Sequence, residues 1–487
     1  MKKTLKKAGC IVLSCMMLAG CTQGATAGQT DTGTTQPQTE STQTEADAGQ
    51  TGSTAASGDT GSTVAEKTSY EGVTAYLASY PGEGAFEDMD AQAFTESEEY
   101  WKWWEEYQPK AEASAEAQDG MEPYYSAVMR ELLVTDDTEN TVCSPINIYV
   151  ALAMLAECTD GNTREQILDV LEADSVDTLR TRIKTLWEAN YVDTPVLTSL
   201  LADSVWMRDG VTYNEETLKR LAELYYASSF SGAMGTEEMN KALQGWMNEN
   251  TGGLLEDAVK DIRTTPETVL ALVSTIYYKA AWSDKFNESA TDQQTFHGAS
   301  GDAEVDMMHL SDTMGYYAGD KFGAVQLDLQ DSGTMSFFLP DEGVDVKELV
   351  TDEQVMQVIR GSYGEVSYPL VHLSVPRFRT EAKTDLLDTM QRLGMTDVMT
   401  AGVADFTPLT TDTALGDLAL SSAEHAAVVE VDEEGVTGAA YTIMIVAESA
   451  AMEPGDEIDF VLDRPFFFTV TGRDGSVLFA GIVQGIG

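Results

Sequence analysis

Apolar residues follow a helical period through the first half of the main domain and a strand period through the second. Glu122 to Val134, Thr163 to Leu171, Asn214 to Ala227 and Glu237 to Asn250 repeat their apolar side chains at helical spacing, which predicts amphipathic helices. Gly252 and Gly253 close the last of them, where a helix C-terminus favours a left-handed residue. Pro145 to Glu157 is apolar on nearly every face, so that helix is expected inside. Runs rich in β-branched and aromatic residues predict strands at Val269 to Tyr278, Ala324 to Leu329, Thr334 to Leu339, Leu370 to Val375, Ala426 to Val431, Phe466 to Gly472 and Ser476 to Gln484. Helices early and strands late, joined by short turns, indicate an α+β domain with a large mixed or antiparallel sheet.

Ahead of this domain the pattern thins. Residues 1–20 combine Lys2, Lys3, Lys6 and Lys7 with the apolar run Ile11 to Leu18, too short to cross a bilayer as a helix, and so have the form of an export signal. The run ends in Leu18, Ala19, Gly20 and Cys21, which resembles a bacterial lipobox. That resemblance makes Cys21 a lipidated first residue and the protein a lipid-anchored one, on the extracellular face of a bacterial membrane. A thioether-linked diacylglycerol plus an N-acyl chain exceeds the two-chain requirement for stable anchoring. Residues 21–66 are mostly Thr, Gly, Ser, Gln and Ala and cannot bury a core. They are expected to form a flexible tether with a span of about 35 to 40 Å. Residues 67–119 are acidic and aromatic. Tyr100, Trp101, Trp103, Trp104 and Tyr107 predict an amphipathic helix from Ser97 to Gln108 that ends near Pro109. This extension either packs on the main domain, residues 120–487, through its tryptophans or docks another surface component.

Ala426 to Ala451 leaves two readings open. It is either a β-hairpin turning at Glu433, Glu434 and Gly435, or a strand kept out of its sheet until something cuts it.

Charge and cysteines narrow the partners. With 81 acidic and 29 basic residues the formal charge is -52, and loss of the first 20 residues removes four lysines more. Such a surface repels phosphate backbones, so no nucleic-acid partner is expected. Cys10 and Cys15 would leave with the signal. Cys143 and Cys158 flank the two ends of the Pro145 to Glu157 helix, about 20 Å apart at its rise per residue. A disulfide needs Cα atoms within about 7 Å, so both are expected as buried free thiols.

Signatures of catalysis are missing. His297, His309, His372 and His425 are the four histidines, none lies in H-E-x-x-H or beside a C-x-x-C pair, and there is no G-x-S-x-G elbow. No catalytic residue, metal site or cofactor is assigned, and the chain is not expected to be an enzyme.

Six stretches, in order, resemble the serpin family. NTVCSPINIYVALAMLAECTDGNTREQIL looks like its first strand and buried helix, and MNKALQGWMNENTGGLL like its W-x-x-x-x-T-x-G-x-[IL] helix. ALVSTIYYKAAWSDKF is similar to the central strand that ends in a tryptophan, here Trp282, and VHLSVPRFRTEAKTDLLDTMQRLGMTDVM to the P-[KR]-F block. Val428 to Thr442 resembles the reactive-loop hinge, and DFVLDRPFFFTVTG with LFAGIV the C-terminal strand pair. The resemblance covers Met121 to Gly487. It implies helices around a large mixed central sheet with smaller sheets and an exposed reactive loop.

What it further implies is a monomeric inhibitor that a serine protease cuts and is then trapped by. The cut loop inserts into the sheet before the acyl-enzyme hydrolyses, giving a covalent complex. The hinge would comprise Glu433, Glu434, Gly435, Val436, Gly438, Ala440 and Thr442. An inserting strand alternates faces, so Val436, Gly438, Ala440 and Thr442 would point inward, all small or β-branched and uncharged. The bulky Tyr441 would point outward. A one-residue slip would reverse that. Insertion of about a dozen residues is worth on the order of 10 kcal/mol. Counting from Glu433 places the cleaved bond between Ser449 and Ala450, within the window Val446 to Met452. Neither Arg nor Lys occurs between Gly435 and Asp463, which points to an elastase-like or subtilisin-like target. The alternative is a non-inhibitory binding protein of the same fold at the cell surface. A sheet-opening cluster of Ser144, Asn147, Ser274, Trp282 and His425 is also implied. In it Asn147 stands where a serine is usual and Ser274 where an asparagine is usual, an exchange that would let the same gap be bridged in reverse.

Overall fold

A computed structural model describes residues 10–21, 66–70, 73–86, 88–436 and 457–486. Its largest sheet has ten strands: β1 (Cys10–Cys21), β2 (Glu66–Tyr70), β3 (Val73–Leu77), β5 (Val192–Asp193), β6 (Leu197–Arg208), β7 (Ser228–Gly232), β8 (Thr268–Ala281), β15 (Phe378–Asp385), β16 (Asp417–Val431) and β17 (Gly435–Val436). Across the sheet the order runs β2, β3, β7, β6, β8, then β1 and β17 end to end, then β16, with β15 beyond it and the short β5 on β6. The pairs are antiparallel except β6 with β7. A second sheet of six strands holds β4 (Thr141–Cys143), β11 (Tyr316–Ala318), β12 (Phe322–Asp328), β13 (Thr334–Pro340), β19 (Phe466–Thr471) and β20 (Val477–Val483). The third, of four strands, holds β9 (Asp292–Gly298), β10 (Gly301–Thr313), β14 (Leu370–Pro376) and β18 (Glu457–Val461).

Helices cover both faces of the large sheet. They include α1 (Ala91–Thr95), α2 (Glu98–Ala117), α3 (Glu122–Leu133), α4 (Pro145–Glu157), α5 (Gly161–Val170), α6 (Val176–Asn190), α7 (Glu215–Leu224) and α8 (Glu237–Asn250). Every residue of α4 is buried, as its all-round apolar pattern requires. On β8, Leu270, Leu272, Ile276, Tyr278 and Ala280 join the main core with α4, whereas Ala271, Val273 and Tyr277 meet Met239, Leu243 and Trp246 of α8 on the other face. A strand covered on both faces reads as a continuous apolar run, which is why β8 was legible. Less legible strands carry polar residues inside the run. The polar half of β16, from Asp417 to Glu424, hid its start, and Asp203 and Ser204 interrupted β6. The helix α6 was likewise not expected.

The extension differs from expectation in two ways. It begins with two strands, β2 and β3, and Val73 and Ala75 bury under α8. Its helix α2 also runs through Pro109 to Ala117. Pro109 lies on the exposed side, where the carbonyl freed one turn earlier meets water, while Tyr107, Ala111 and Ser114 bury at helical spacing. Trp103 and Trp104 pack half-buried against the core, Arg473 stacks 4.3 Å over the Trp104 ring, and Trp101 stays 61 % exposed. Ser114 and Gln118 anchor the far end by donating to the Asp474 carboxylate. The extension is thus packed on the domain through its tryptophans. Cys143 and Cys158 are buried and unbridged, and burial pushes the Cys158 thiol up to about 12.

Residues 22–65, expected as the tether, lie outside the described residues. Cys10 to Cys21, which contains the apolar run and the expected lipidation site, lies in the sheet as β1 between β8 and β16. An uncharged run without proline matches a position flanked by two strand edges.

Candidate functional site

β16 leaves the sheet at Val431, turns through Asp432, Glu433 and Glu434, and returns as β17 between Val431 and the end of β8. The turn is held by polar groups of several kinds. The Asp432 carboxylate accepts the N–H groups of Glu434 at 2.9 Å and Gly435 at 3.2 Å. Gly435 presses on the neighbouring strand, and a Cβ there would stand 2.2 Å from the Ala280 carbonyl oxygen, so glycine is required. Glu433 is only 3 % exposed. Arg377 donates Nε to it at 2.7 Å and a second N–H to its other oxygen, to which the Thr291 hydroxyl also donates. Burial pushes this carboxyl up, but the bonds from Arg377 and Thr291 outweigh it and hold the group below its usual range. Glu434 pairs with Lys285 at 2.7 Å. Trp282, the residue after β8, donates its backbone N–H to the Glu434 carbonyl at 3.0 Å and its indole N–H to the Asp432 carbonyl at 2.9 Å.

Val436 is the first residue past the turn whose side chain enters the fold. It is fully buried in the main core opposite Ala280, the inward direction expected for it.

Further down the same interstrand space lies a polar cluster under the sheet. Ser144 caps α4 by accepting the Asn147 N–H at 3.4 Å, and its own N–H donates to His425 Nε2 at 3.1 Å. His425 sits on β16 and is buried, which drives its pKa down to about 3 and keeps the ring neutral. Asn147 Nδ2 donates to the Ser274 hydroxyl of β8 at 2.9 Å, so amide and hydroxyl meet across the gap in the exchanged sense. Sequence reasoning missed a further member. Asp203 of β6 pairs with Ser274 across the ladder, is fully buried, and has no hydrogen-bond partner for either carboxyl oxygen among the described residues. Burial raises its pKa to about 7, against a smaller opposing pull from Ser274 and Trp187.

Ser144, Asn147, Ser274 and His425 therefore come together as expected from the sequence, and Trp282 does not. It lies eight residues along β8 from Ser274, about 26 Å at strand rise, and serves the hinge. The separation follows from β8 being straight: one strand cannot bring its middle and its end to one place. Gly438, Ala440, Thr442, Ser449 and Ala450 lie outside the described residues. Arg377, Thr291 and Lys285 were not anticipated either. Arg377 occupies the middle of the quoted P-[KR]-F triad, and its role is set by where β14 meets β15.

Helices packed around a mixed sheet, with a turn that leaves one central strand and returns beside another, define an α+β fold. A family model described as serpin (serine protease inhibitor) matches residues 126–485, well over half the chain. The protein belongs to the serpin family. An uncharacterized serpin-like protein of Thermococcus kodakarensis is 28% identical over 358 residues, 71% of this chain and 80% of its own. Serpin B9 of Homo sapiens is 26% identical over 365 residues, 73% of this chain and 95% of its own. Among solved structures, the thermophilic serpin tengpin in its native state superposes with a TM-score of 0.65 at 22% identity, covering 78% of this chain and 95% of its own. The native stressed form of Arabidopsis AtSerpin1 gives 0.62 at 23%, covering 77% and 98%. The family is one of protease inhibitors, with proteases as partners, and the fold is α+β with a large mixed sheet and smaller ones.

Proposed function

We propose that this chain inhibits serine proteases by suicide: the loop after Val436 is cut, inserts between β8 and β16, and drags the acyl-enzyme with it. The observation that carries this reading is Val436, already seated in the core between the two strands at the mouth of that space. The hinge supports it too, because Gly435 allows the chain to press on Ala280 and the alternate positions Val436, Gly438, Ala440 and Thr442 are small or β-branched and uncharged. The target is a protease with a small, apolar primary pocket, elastase-like or subtilisin-like, since the window Val446 to Met452 holds no basic residue. The protein acts at the outer face of a bacterial membrane, held through lipid on Cys21.

Incubation of the chain that begins at Cys21, without residues 1–20, with elastase tests the inhibitory reading. A covalent complex that survives a denaturing gel is expected. Clean cleavage of the full population without complex would show a substrate rather than an inhibitor. Metabolic labelling with palmitate tests the anchor, and label that persists in a Cys21→Ser variant would rule that residue out as the lipid site.

A further inference from the structure

The space between β8 and β16 is filled over most of its length by the chain's own beginning. On β8, Gly435 and Val436 take Ala281 and Ala280, and Cys10 to Leu18 follow from Tyr278 to Leu270. On β16, Ile11 to Cys21 run from Val428 to Asp417. Both pairings are antiparallel, so β1 has a neighbour on each side and no free edge. Its described side chains use both faces as a buried strand does. Met16 and Leu18 enter the main core, and Met17 enters the second core beneath α8. Cys10 to Cys21 carries no charge and no proline, which suits a strand buried on both faces.

Register makes this a competition for one site. Were the chain beyond Val436 to continue along β8 in the same register, residue 439 would fall opposite Tyr277, which Ile11 holds, and residue 446 opposite Leu270, which Leu18 holds. Two strands cannot share one ladder, so the segment and the loop exclude each other residue for residue.

We propose that Cys10–Cys21 is an internal blocking strand, and that the space between β8 and β16 is its binding site. While the segment is attached and seated, the protein can be cut by a protease but cannot trap it. Removal of the segment opens the space and makes the inhibitor competent. The blocking role rests on the insertion reading above, whereas the seating rests on the pairing of β1 alone. Processing ahead of Cys21 is then an activation step.

The test uses the full chain made without export, so that residues 1–20 remain attached, compared with Met16→Asp/Leu18→Asp and with Ser14→Pro. Aspartates at two buried positions, or a proline within a ladder paired on both sides, should each unseat the strand. Tryptophan fluorescence and near-ultraviolet circular dichroism verify that the variants are folded. The unaltered chain should show slow amide exchange at Leu270 to Ile276 and Ala423 to Val428, and be cleaved by elastase without complex. Both variants should exchange faster there, melt lower by about 10 °C, and form the gel-stable complex. Equal exchange and melting in all three would overturn the seating, whatever elastase does. Trapping by the unaltered chain as fast as by the variants would overturn the block. A difference in exchange and melting with no trapping by any of them would leave the seating standing and overturn the suicide reading, and the blocking role with it.

Discussion

The two ends of the space between β8 and β16 are stabilised by different chemistry. At the hinge the contacts are ionic and lie near the surface: Arg377, Thr291 and Lys285 hold two glutamates, and the cations keep partial access to water. Midway along the same strands, Ser144, Asn147, Ser274 and His425 are joined by neutral hydrogen bonds with solvent excluded. An ion pair whose cation stays half-exposed can exchange its partner for water at modest cost, which on the insertion reading suits a turn that moves. A buried neutral network loses much more when its geometry is disturbed, which on the insertion reading suits the place where the strands separate only once. Asp203 is the exception. It brings a carboxyl into the neutral cluster with no cation to hold its charge among the described residues, only weaker pulls from Ser274 and Trp187.

The sharpest way to break the comparison is at Val436, where hinge and core meet. In the chain that begins at Cys21, Val436→Arg places an unpaired charge in a fully buried apolar position, and the yield of covalent complex should fall by about two orders of magnitude, with cleavage replacing it. The readout is the ratio of complex to cut chain on a denaturing gel. A variant that still traps would mean that the hinge does not enter the core.

Asp203→Asn tests the buried end. The folded carboxyl titrates near about 7 and the unfolded one at about 3.9, so the folded state binds more protons between those values and wild-type stability falls as pH rises through that window. The amide removes that penalty. Above pH 7 the variant should be more stable by up to about 4 kcal/mol, and near pH 4 the two should coincide, as denaturant midpoints would register. His425 slopes the other way: its folded pKa is depressed, so its contribution is present above about pH 6.5 and is lost as pH falls toward 3. Removing the aspartate therefore exposes a histidine-driven loss on acidification that the wild type partly masks.

Glu433→Gln should cost less, about 1 to 3 kcal/mol, because Arg377 and Thr291 lose a charged acceptor but keep access to water. A larger loss than this would place the hinge among the rigid parts of the molecule and undo the contrast. Smallest is the coupling across the gap. Asn147→Ser and Ser274→Asn, made singly and together, should show an interaction of about 0.5 to 1.5 kcal/mol, the double variant being less destabilised than the sum. Strict additivity in chemical unfolding would mean that the two residues vary independently.

Legibility in the sequence followed the clarity of local pattern. The helices α4 and α8 were read to their observed ends, because one is apolar all round and the other is closed by glycines. The hinge acids and Gly435 were readable as a turn, and the polar cluster through its resemblance to known relatives. Asp203 was not, since a lone acid in a run of apolar residues signals an interrupted strand. Its neighbours Ser274 and Trp187 come from distant stretches of chain. Pro109 misled for a related reason: the residue ends a helix by default, and only its position on the solvent side of α2 decides that it does not.

By itself the sequence determined the helices and strands with a clear apolar period, which of their faces are apolar, the family, and the uncharged character of Val436 to Thr442. These are set by short-range spacing and side-chain type. Tertiary structure decided what lies beside what. It assigned Trp282 to the hinge rather than to the polar cluster, set Arg377 against Glu433, buried Asp203 opposite Ser274, and laid Cys10–Cys21 between β8 and β16. Strand pairing has no local code beyond alternation, so an uncharged run written like an export signal takes its place only when two strands leave an edge open on either side.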